Sequence, residues 1–252
     1  MSGKVYLVGA GPGAADLLTL RAARLLAAAD LVLHDALVTD DILALAPQAR
    51  KLPVGKRANR PSTDQAVINR LLVRAARHHQ MIVRLKGGDP MLFGRAQEEI
   101  DALRAAGVAY EIVPGISAGF AAAAEIAQSL THRRLSRSVA FVTPAVARGT
   151  ATDETWADAA AAADTAVIYM GKAEAARVRD ALTARGVPAR RPAVLVEGAS
   201  RGGVIAGGSL ATLEALAACS GDGPALLLIG EAFARAAAEH ALPVGDDVAE
   251  RA

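Results

Sequence analysis

A buried strand that ends abruptly in two glycines constrains the fold of this chain most strongly. Residues 81–85 are a mostly apolar run, and Lys86 is followed by Gly87, Gly88, Asp89 and Pro90. Two glycines allow positive φ angles and leave no Cβ between the backbone and a ligand. Helical spacing begins near Arg95, so the glycines form a loop between a strand and a helix. An open α/β sheet places its ligand site at such a loop, and a plain strand-to-helix turn is the alternative.

Short apolar strands alternate with helical patterns along the rest of the chain. The predicted strands are 4–8, 31–33, a short strand near Leu52, 81–85, 110–113, 139–142, 165–170, 193–196 and 225–229. The predicted helices include 42–46, 65–78, 120–128, 155–162, 174–184 and 210–218, and one that starts after an N-cap at Asp16 with Leu17, Leu18 and Leu20 on its apolar face. This alternation predicts an α/β fold with helices covering the sheets.

A proline-glycine break from Pro114 to Gly119 interrupts the alternation of strands and helices. We therefore predict an N-terminal α/β domain over residues 1–114 and a C-terminal α/β domain over residues 115–242. The polar residues 243–252 are predicted to be a frayed tail.

The composition excludes several classes of protein. A net charge of +2 and 3% aromatic residues argue against a nucleic-acid partner. Cys219 is the only cysteine and the histidines do not converge, so we expect neither a disulfide nor a metal site. No apolar run reaches the roughly 18 residues that a membrane span requires. The first strand starts at Lys4, so we expect no signal peptide and a cytoplasmic protein.

The first glycine turn leaves open a dinucleotide-binding interpretation. Gly9, Gly11 and Ala14 have the spacing of the Rossmann fingerprint, and Asp35 ends the next strand. An NAD-dependent oxidoreductase is therefore a rival. Pro12 argues against it, because proline removes an N–H from the turn that would hold pyrophosphate.

Two further strand ends carry candidate catalytic side chains. Asp35 is either a turn residue or a proton acceptor in a cleft. Lys56 and Arg57 follow Gly55, where they either extend into water or meet an anionic substrate.

Candidate ligand contacts also occur in the second half. The segment 131–137 contains Arg133, Arg134 and Arg137, which form either a solvated loop or a site for carboxylates. Met170 ends a predicted strand, where it is either a core residue or a contact for an adenosine or thioether ligand. Ala199 follows another strand, and its small side chain would let a flat ring approach the backbone.

With these loops in place, the chain resembles the uroporphyrinogen-III C-methyltransferases, within the wider tetrapyrrole methyltransferase family. The resemblance extends from about Val5 to Phe233. It rests on five motifs in order: Val8-Gly-Ala-Gly-Pro-Gly13 with Leu17-Leu-Thr19, Val54-Gly-Lys-Arg57, Arg84-Leu-Lys-Gly-Gly-Asp-Pro90 with Phe93-Gly-Arg95, Val113-Pro-Gly-Ile-Ser-Ala118, and Thr131-His-Arg133. The chain departs from the pattern at Pro144-Ala145 in place of Gly-His, at Gly198 in place of Asn, and at Arg134 in place of Asp.

The resemblance implies two α/β/α domains with the active site in the cleft between them, a homodimer, and S-adenosyl-L-methionine as cofactor. It implies cofactor contacts at Pro12, Gly87, Gly88, Asp89, Leu92, Ser117, Ala118, Met170 and Ala199. It assigns a proton acceptor to Asp35 and a proton donor to Lys56. The implied reaction converts uroporphyrinogen III to precorrin-2 through methylation of two pyrrole carbons, a step of siroheme and cobalamin synthesis.

The substrate of this reaction carries acetate and propionate arms. Arg57, Arg133, Arg134 and Arg137 are candidate partners for these arms on the basis of charge and location. Another precorrin methyltransferase and a non-catalytic ligand sensor on the same scaffold are the alternatives.

Overall fold

The computed structural model of the chain describes residues 3–55, 64–145 and 154–242. The chain divides into two compact units, residues 1–118 and residues 119–252. The division lies four residues after the predicted boundary at 114. The predicted tail, residues 243–252, lies outside the described residues.

The first unit is built on a five-stranded sheet in which every strand pair is parallel. Its strands are β1 (Lys4–Gly9), β2 (Leu31–His34), β3 (Arg50–Pro53), β4 (Met81–Lys86) and β5 (Tyr110–Val113), in the spatial order β3-β2-β4-β1-β5. Its helices are α1 (Leu20–Ala28), α2 (Asp40–Ala44), α3 (Gln65–Ala75) and α4 (Ala96–Ala105). The predicted parallel sheet is confirmed for this unit.

Alternating side chains of these strands build two separate cores. Leu7 and Ile82 pack on one face with residues of α3 and α4, including Leu103. Val8 and Val83 pack on the other face with residues of α1 and α2. Because helices cover both faces of this sheet, its open positions are the strand ends, where the connecting loops lie.

The predicted start of α1 is wrong. Residues Ala15–Leu17 form a 3-10 turn, and the helix begins at Leu20. The cap is Thr19 rather than Asp16, because the Thr19 hydroxyl accepts a hydrogen bond from the Ala22 amide at 3.1 Å. Leu20, predicted to be buried, is 83% exposed.

The second unit contains a mixed sheet, in the order β6-β7-β10-β8-β9. Its strands are β6 (Val139–Val142), β7 (Thr165–Tyr169), β8 (Pro192–Glu197), β9 (Ile205–Ser209) and β10 (Ala225–Gly230). Its helices are α6 (Thr155–Ala162), α7 (Ala175–Ala184), α8 (Leu213–Ala218) and α9 (Ala234–Glu239), and α5 (Ala118–Glu125) begins at the division between the units. β6 and β7 are parallel, whereas β10 is antiparallel to both β7 and β8, and β9 is antiparallel to β8.

In the described part of the chain, no helix is long and apolar enough to cross a membrane. Within the same residues, no three His, Cys, Asp or Glu side chains are grouped in a way that would hold a metal ion.

Candidate active site

Three glycine-containing loops meet at the carboxyl edge of the first sheet, where β1, β4 and β5 end side by side. Gly9 lies opposite Lys86 in the register of β1 and β4. Beyond the strands, the Gly88 amide donates to the Gly11 carbonyl at 2.8 Å and the Gly11 amide donates to the Gly88 carbonyl at 3.2 Å. A Cβ added to Gly115 would overlap the Gly88 carbonyl oxygen. The three loops are therefore in direct backbone contact, which glycine alone permits.

Gly88 borders open space. Its φ is +68°, and a Cβ built on it would meet no backbone or side-chain atom closer than 4.0 Å, the nearest being Ala118 N and Ser117 Cα. The left-handed conformation favours glycine. The room beside it is what a ligand needs in order to reach the backbone.

Asp89 joins two of these loops. Its Oδ1 accepts a hydrogen bond from the Met91 amide at 2.7 Å, and its Oδ2 accepts one from the Gly115 amide at 2.9 Å. The sequence predicted an acceptor for ligand donors at this position. In the structure each carboxylate oxygen holds a backbone amide, so the Asp89 side chain fixes the loop after β4 to the loop after β5.

The cofactor contacts predicted in the first unit all lie on these loops. They are Pro12 after β1, Gly87, Gly88, Asp89 and Leu92 after β4, and Ser117 and Ala118 after β5. Ser117 is buried, and Pro12, Gly87 and Ala118 are half-buried.

The cofactor contacts predicted in the second unit also share one edge of a sheet. β10 runs antiparallel between β7 and β8, so Tyr169 and Glu197 end their strands on the same side. Met170 follows directly, with φ +55° and 54% exposure, so the interpretation of Met170 as a core residue is wrong. Ala199 is buried, and Gly198 before it has φ +60°. This left-handed conformation explains why glycine can stand where asparagine was expected, since both residues tolerate it.

An ion pair ties these two strand ends together. Lys172 Nζ donates to Glu197 Oε1 at 2.9 Å and to the carbonyls of Gly221 and Gly223, and Glu197 Oε2 accepts from the Gly221 amide at 2.8 Å. The hydrogen bond from Lys172 holds the pKa of Glu197 below its usual value. The ion pair and its hydrogen bonds to Gly221 and Gly223 hold the loop before β10 against the ends of β7 and β8.

Asp35, the predicted proton acceptor, directly follows β2 at the carboxyl edge of the first sheet. Its side chain is 28% exposed, and its Oδ1 accepts a hydrogen bond from Arg84 Nη2 at 2.5 Å. The loop after β3 begins beside it, because a Cβ added to Gly55 would overlap the Ala36 amide. Lys56 and Arg57, predicted on that loop, lie outside the described residues.

A cluster of buried charges beneath this edge was not predicted from the sequence. Arg84, Lys86 and Glu99 are 2%, 3% and 0% exposed. Glu99 Oε1 accepts hydrogen bonds from Arg84 Nε at 2.9 Å, from Lys86 Nζ at 3.1 Å and from Gln65 Nε2 at 3.2 Å. Burial lowers the pKa of Lys86, and the charge of Arg84 lowers it further. The signal in the sequence is the pair of basic residues at alternate positions of one strand, which places both on the same face.

The basic segment 131–137 forms an exposed loop in the second unit. Arg133, Arg134 and Arg137 are exposed, and no described residue forms an ion pair with any of them. The loop is closed by two backbone hydrogen bonds of 2.8 Å between His132 and Ser136. This exposure fits both interpretations made from the sequence, a solvated loop and a site for carboxylates.

Comparisons with known proteins show what this arrangement resembles. The family model for tetrapyrrole (corrin/porphyrin) methylases matches residues 4–213. The siroheme synthase of Pseudomonas paraeruginosa is 45% identical over 233 residues, which are 91% of this chain and 50% of that protein. The chain thus spans about half the length of the curated relatives it matches.

Two solved structures extend the comparison. The uroporphyrin-III C-methyl transferase of Thermus thermophilus, complexed with S-adenyl homocysteine, is 39% identical with a TM-score of 0.79, covering 92% of this chain and 94% of that one. A cobalt precorrin-4 methyltransferase is 29% identical, also with a TM-score of 0.79, covering 91% of this chain and 95% of that one.

Proposed function

Because the chain belongs to the tetrapyrrole (corrin/porphyrin) methylases, we propose that it methylates uroporphyrinogen III at two pyrrole carbons and forms precorrin-2 by way of precorrin-1. The observation that carries this proposal is the likeness to the Thermus thermophilus uroporphyrin-III C-methyl transferase, whose identity to this chain exceeds that of the cobalt precorrin-4 methyltransferase. The product would serve siroheme or cobalamin synthesis. The resemblance further leads us to propose a homodimer in the cytoplasm.

The methyl donor is S-adenosyl-L-methionine, which supplies an electrophilic methyl group on a sulfonium. The described residues fit this cofactor. Gly88 leaves room for a ligand against the backbone, and the exposed Met170 offers a polarizable contact. Asp89 holds the shape of the loop that would cradle the cofactor.

The structure argues against the NAD-dependent alternative at the first glycine turn. In a dinucleotide site the pyrophosphate lies at the N-terminus of the helix that directly follows the glycines. Here the residues Ala15–Leu17 form a 3-10 turn and α1 begins only at Leu20, so α1 does not directly follow the glycines. Gly11 is instead paired with Gly88.

The substrate proposal rests on charge and on exposed apolar side chains. Arg133, Arg134 and Arg137 can pair with acetate and propionate arms, each charge-assisted hydrogen bond contributing about 1.5–3 kcal/mol. Around the loop after β4, Leu37 and Met91 are 54% and 55% exposed. We propose that these apolar side chains contact the flat macrocycle. Arg57 is proposed as a further partner of the acidic arms.

The chemistry requires positioning above all. An electron-rich pyrrole carbon would attack the methyl group when the two are held in line at about 3–3.5 Å, and the methyl–sulfur bond would break to release S-adenosylhomocysteine. The attacked carbon becomes quaternary and positive charge develops on the macrocycle, so a proton must leave. We propose that Asp35 accepts this proton and stabilises the preceding cation, and that Lys56 acts as proton donor.

Incubation with methyl-labelled S-adenosylmethionine and uroporphyrinogen III tests the proposal. We expect label in a dimethylated tetrapyrrole and calorimetric binding of S-adenosylhomocysteine but not of NAD. Binding of S-adenosylhomocysteine without any methyl transfer would indicate a ligand sensor. Methyl transfer only to a later precorrin would favour the second candidate function, that of a different precorrin methyltransferase. The likeness to the cobalt precorrin-4 methyltransferase supports this second candidate.

A further inference from the structure

Arg84 occupies an unusual position for a charged residue. It lies in β4, near the middle of the parallel sheet, between β2 and β1. In the register it stands opposite Leu33 on one side and Leu7 on the other, and both leucines are fully buried. Central strands of parallel sheets are normally apolar throughout, and an arginine there must exchange all of its hydration for protein partners.

The guanidinium of Arg84 donates hydrogen bonds to three partners. Nε donates to Glu99 Oε1 at 2.9 Å, Nη1 to the Leu85 carbonyl at 3.2 Å, and Nη2 to Asp35 Oδ1 at 2.5 Å. Every nitrogen of the group is therefore engaged. The planar fork fixes its geometry, because rotation that breaks one bond breaks the others.

The presence of an arginine at position 84 is not explained by a need to neutralise Glu99. The same Glu99 oxygen also accepts from Lys86 and from Gln65, so a cation and an amide would remain if Arg84 were absent. Stability does not account for it either, because buried ion pairs can often be replaced by apolar side chains without loss. Among the described residues, Arg84 is the one group that donates a hydrogen bond to the Asp35 side chain.

Of the two carboxylates that bind Arg84, only Asp35 reaches solvent. Its side chain is 28% exposed, whereas that of Glu99 is 0% exposed. Among the described residues, no group donates to Asp35 Oδ2. One Asp35 oxygen is thus held by a buried arginine, and the second has no donor within the described part of the chain.

We propose that Arg84 is a positioning residue that holds the Asp35 carboxylate in one orientation at the carboxyl edge of the first sheet, with Glu99 anchoring the guanidinium from the opposite side. This role rests on the proposed function, in which Asp35 accepts a proton from the methylated macrocycle. A proton acceptor is effective only when it is held within hydrogen-bond reach of the proton, and supporting hydrogen bonds lock its rotamer.

The test is a double-mutant cycle between Arg84→Lys and Asp35→Asn, measured as kcat for methyl transfer. Lysine keeps the charge but cannot reach both carboxylates. We expect Arg84→Lys to lower kcat roughly tenfold to a hundredfold, since a misplacement of about 1 Å can cost that much. The KM for the tetrapyrrole and the affinity for S-adenosylhomocysteine stay unchanged. In the Asp35→Asn background the same substitution produces no further loss.

A matched control disturbs the same buried cluster and leaves the Arg84–Asp35 bond intact. Gln65→Met removes a hydrogen bond to Glu99, and it should keep the wild-type kcat. If Arg84→Lys does not fold, the charge-balanced pair Arg84→Gln with Glu99→Gln replaces it, and the expected loss of kcat is the same because Asp35 again loses its arginine.

The outcomes separate this role from the proposed function. A wild-type kcat in Arg84→Lys, or an equal fold-loss in the Asp35→Asn background, contradicts the positioning role alone. Full activity in Asp35→Asn contradicts the assignment of the proton acceptor and the positioning role with it. Absence of methyl transfer by the wild-type chain contradicts the proposed function itself.

Discussion

Replacing Gly88 by alanine should weaken cofactor binding by more than it weakens the fold. At φ +68° the new Cβ costs roughly 1–2 kcal/mol of stability, the usual penalty for an L-residue in the left-handed region. The Cβ enters open space, with no atom of the chain closer than 4.0 Å, so no clash adds to this penalty. If that space holds the cofactor, a methyl group there costs about 1–3 kcal/mol of binding, which raises the Kd roughly fivefold to 150-fold.

Gly107 offers a matched control for the same substitution. It follows α4 with φ +65°, and a Cβ built there would meet no atom within 4 Å. Gly107→Ala should therefore lower the unfolding free energy, measured by urea denaturation, by the same amount as Gly88→Ala. It should keep the wild-type affinity in a calorimetric titration with S-adenosylhomocysteine. Equal affinities in the two folded variants would refute the placement of the cofactor beside Gly88.

Three other variants test the proton acceptor, the basic loop and the ion pair between Lys172 and Glu197. Asp35→Asn should bind S-adenosylhomocysteine normally and turn over on the order of a hundredfold more slowly, which is the scale for loss of a general base; unchanged kcat would leave Asp35 as a turn residue. Arg133→Ala combined with Arg137→Ala should weaken tetrapyrrole binding at least about tenfold and spare S-adenosylhomocysteine, and equal losses for both ligands would indicate a structural role. Glu197→Gln should lower the unfolding free energy at neutral pH but not at strongly acidic pH. The hydrogen bond from Lys172 depresses the pKa of Glu197 below 4.5, so its stabilisation is complete above that pH and is lost as the pH falls through the folded-state pKa; a pH-independent difference between variant and wild type would contradict this.

The parallel sheet and the glycine loops at its strand ends could be predicted because their signals are local. A buried run followed by Gly87 and Gly88 marks the end of a strand wherever the strand lies in the sheet. The start of α1 was placed wrongly because Asp16 and Thr19 are both good caps, and nothing in the local pattern shows that residues Ala15–Leu17 form a 3-10 turn.

Strand β9 was missed because its sequence lacks a strand pattern. Gly207 and Gly208 make up two of its residues, and glycine is depleted in strands. Pairing with β8 holds these residues in a strand although their sequence does not favour one. A Cβ at Gly207 would overlap the Ala237 carbonyl of α9. The requirement for glycine therefore comes from a helix that is distant in the sequence.

The buried charges also depend on distant partners. Arg84 and Lys86 sit in a strand whose other residues are apolar, and their common acceptor Glu99 lies on α4. The sequence placed Asp35 correctly at a strand end. It gave no indication that Arg84 would meet Asp35, because that contact depends on β2 and β4 being neighbours in the sheet.

The proposed double methylation can be followed through the mass of the tetrapyrrole product over time. With S-adenosylmethionine in excess and uroporphyrinogen III as the only acceptor, we expect a singly methylated species to rise and fall while a doubly methylated species accumulates as the final product. A tetrapyrrole that keeps its original mass, in the presence of a folded chain that binds S-adenosylhomocysteine, would contradict the claim.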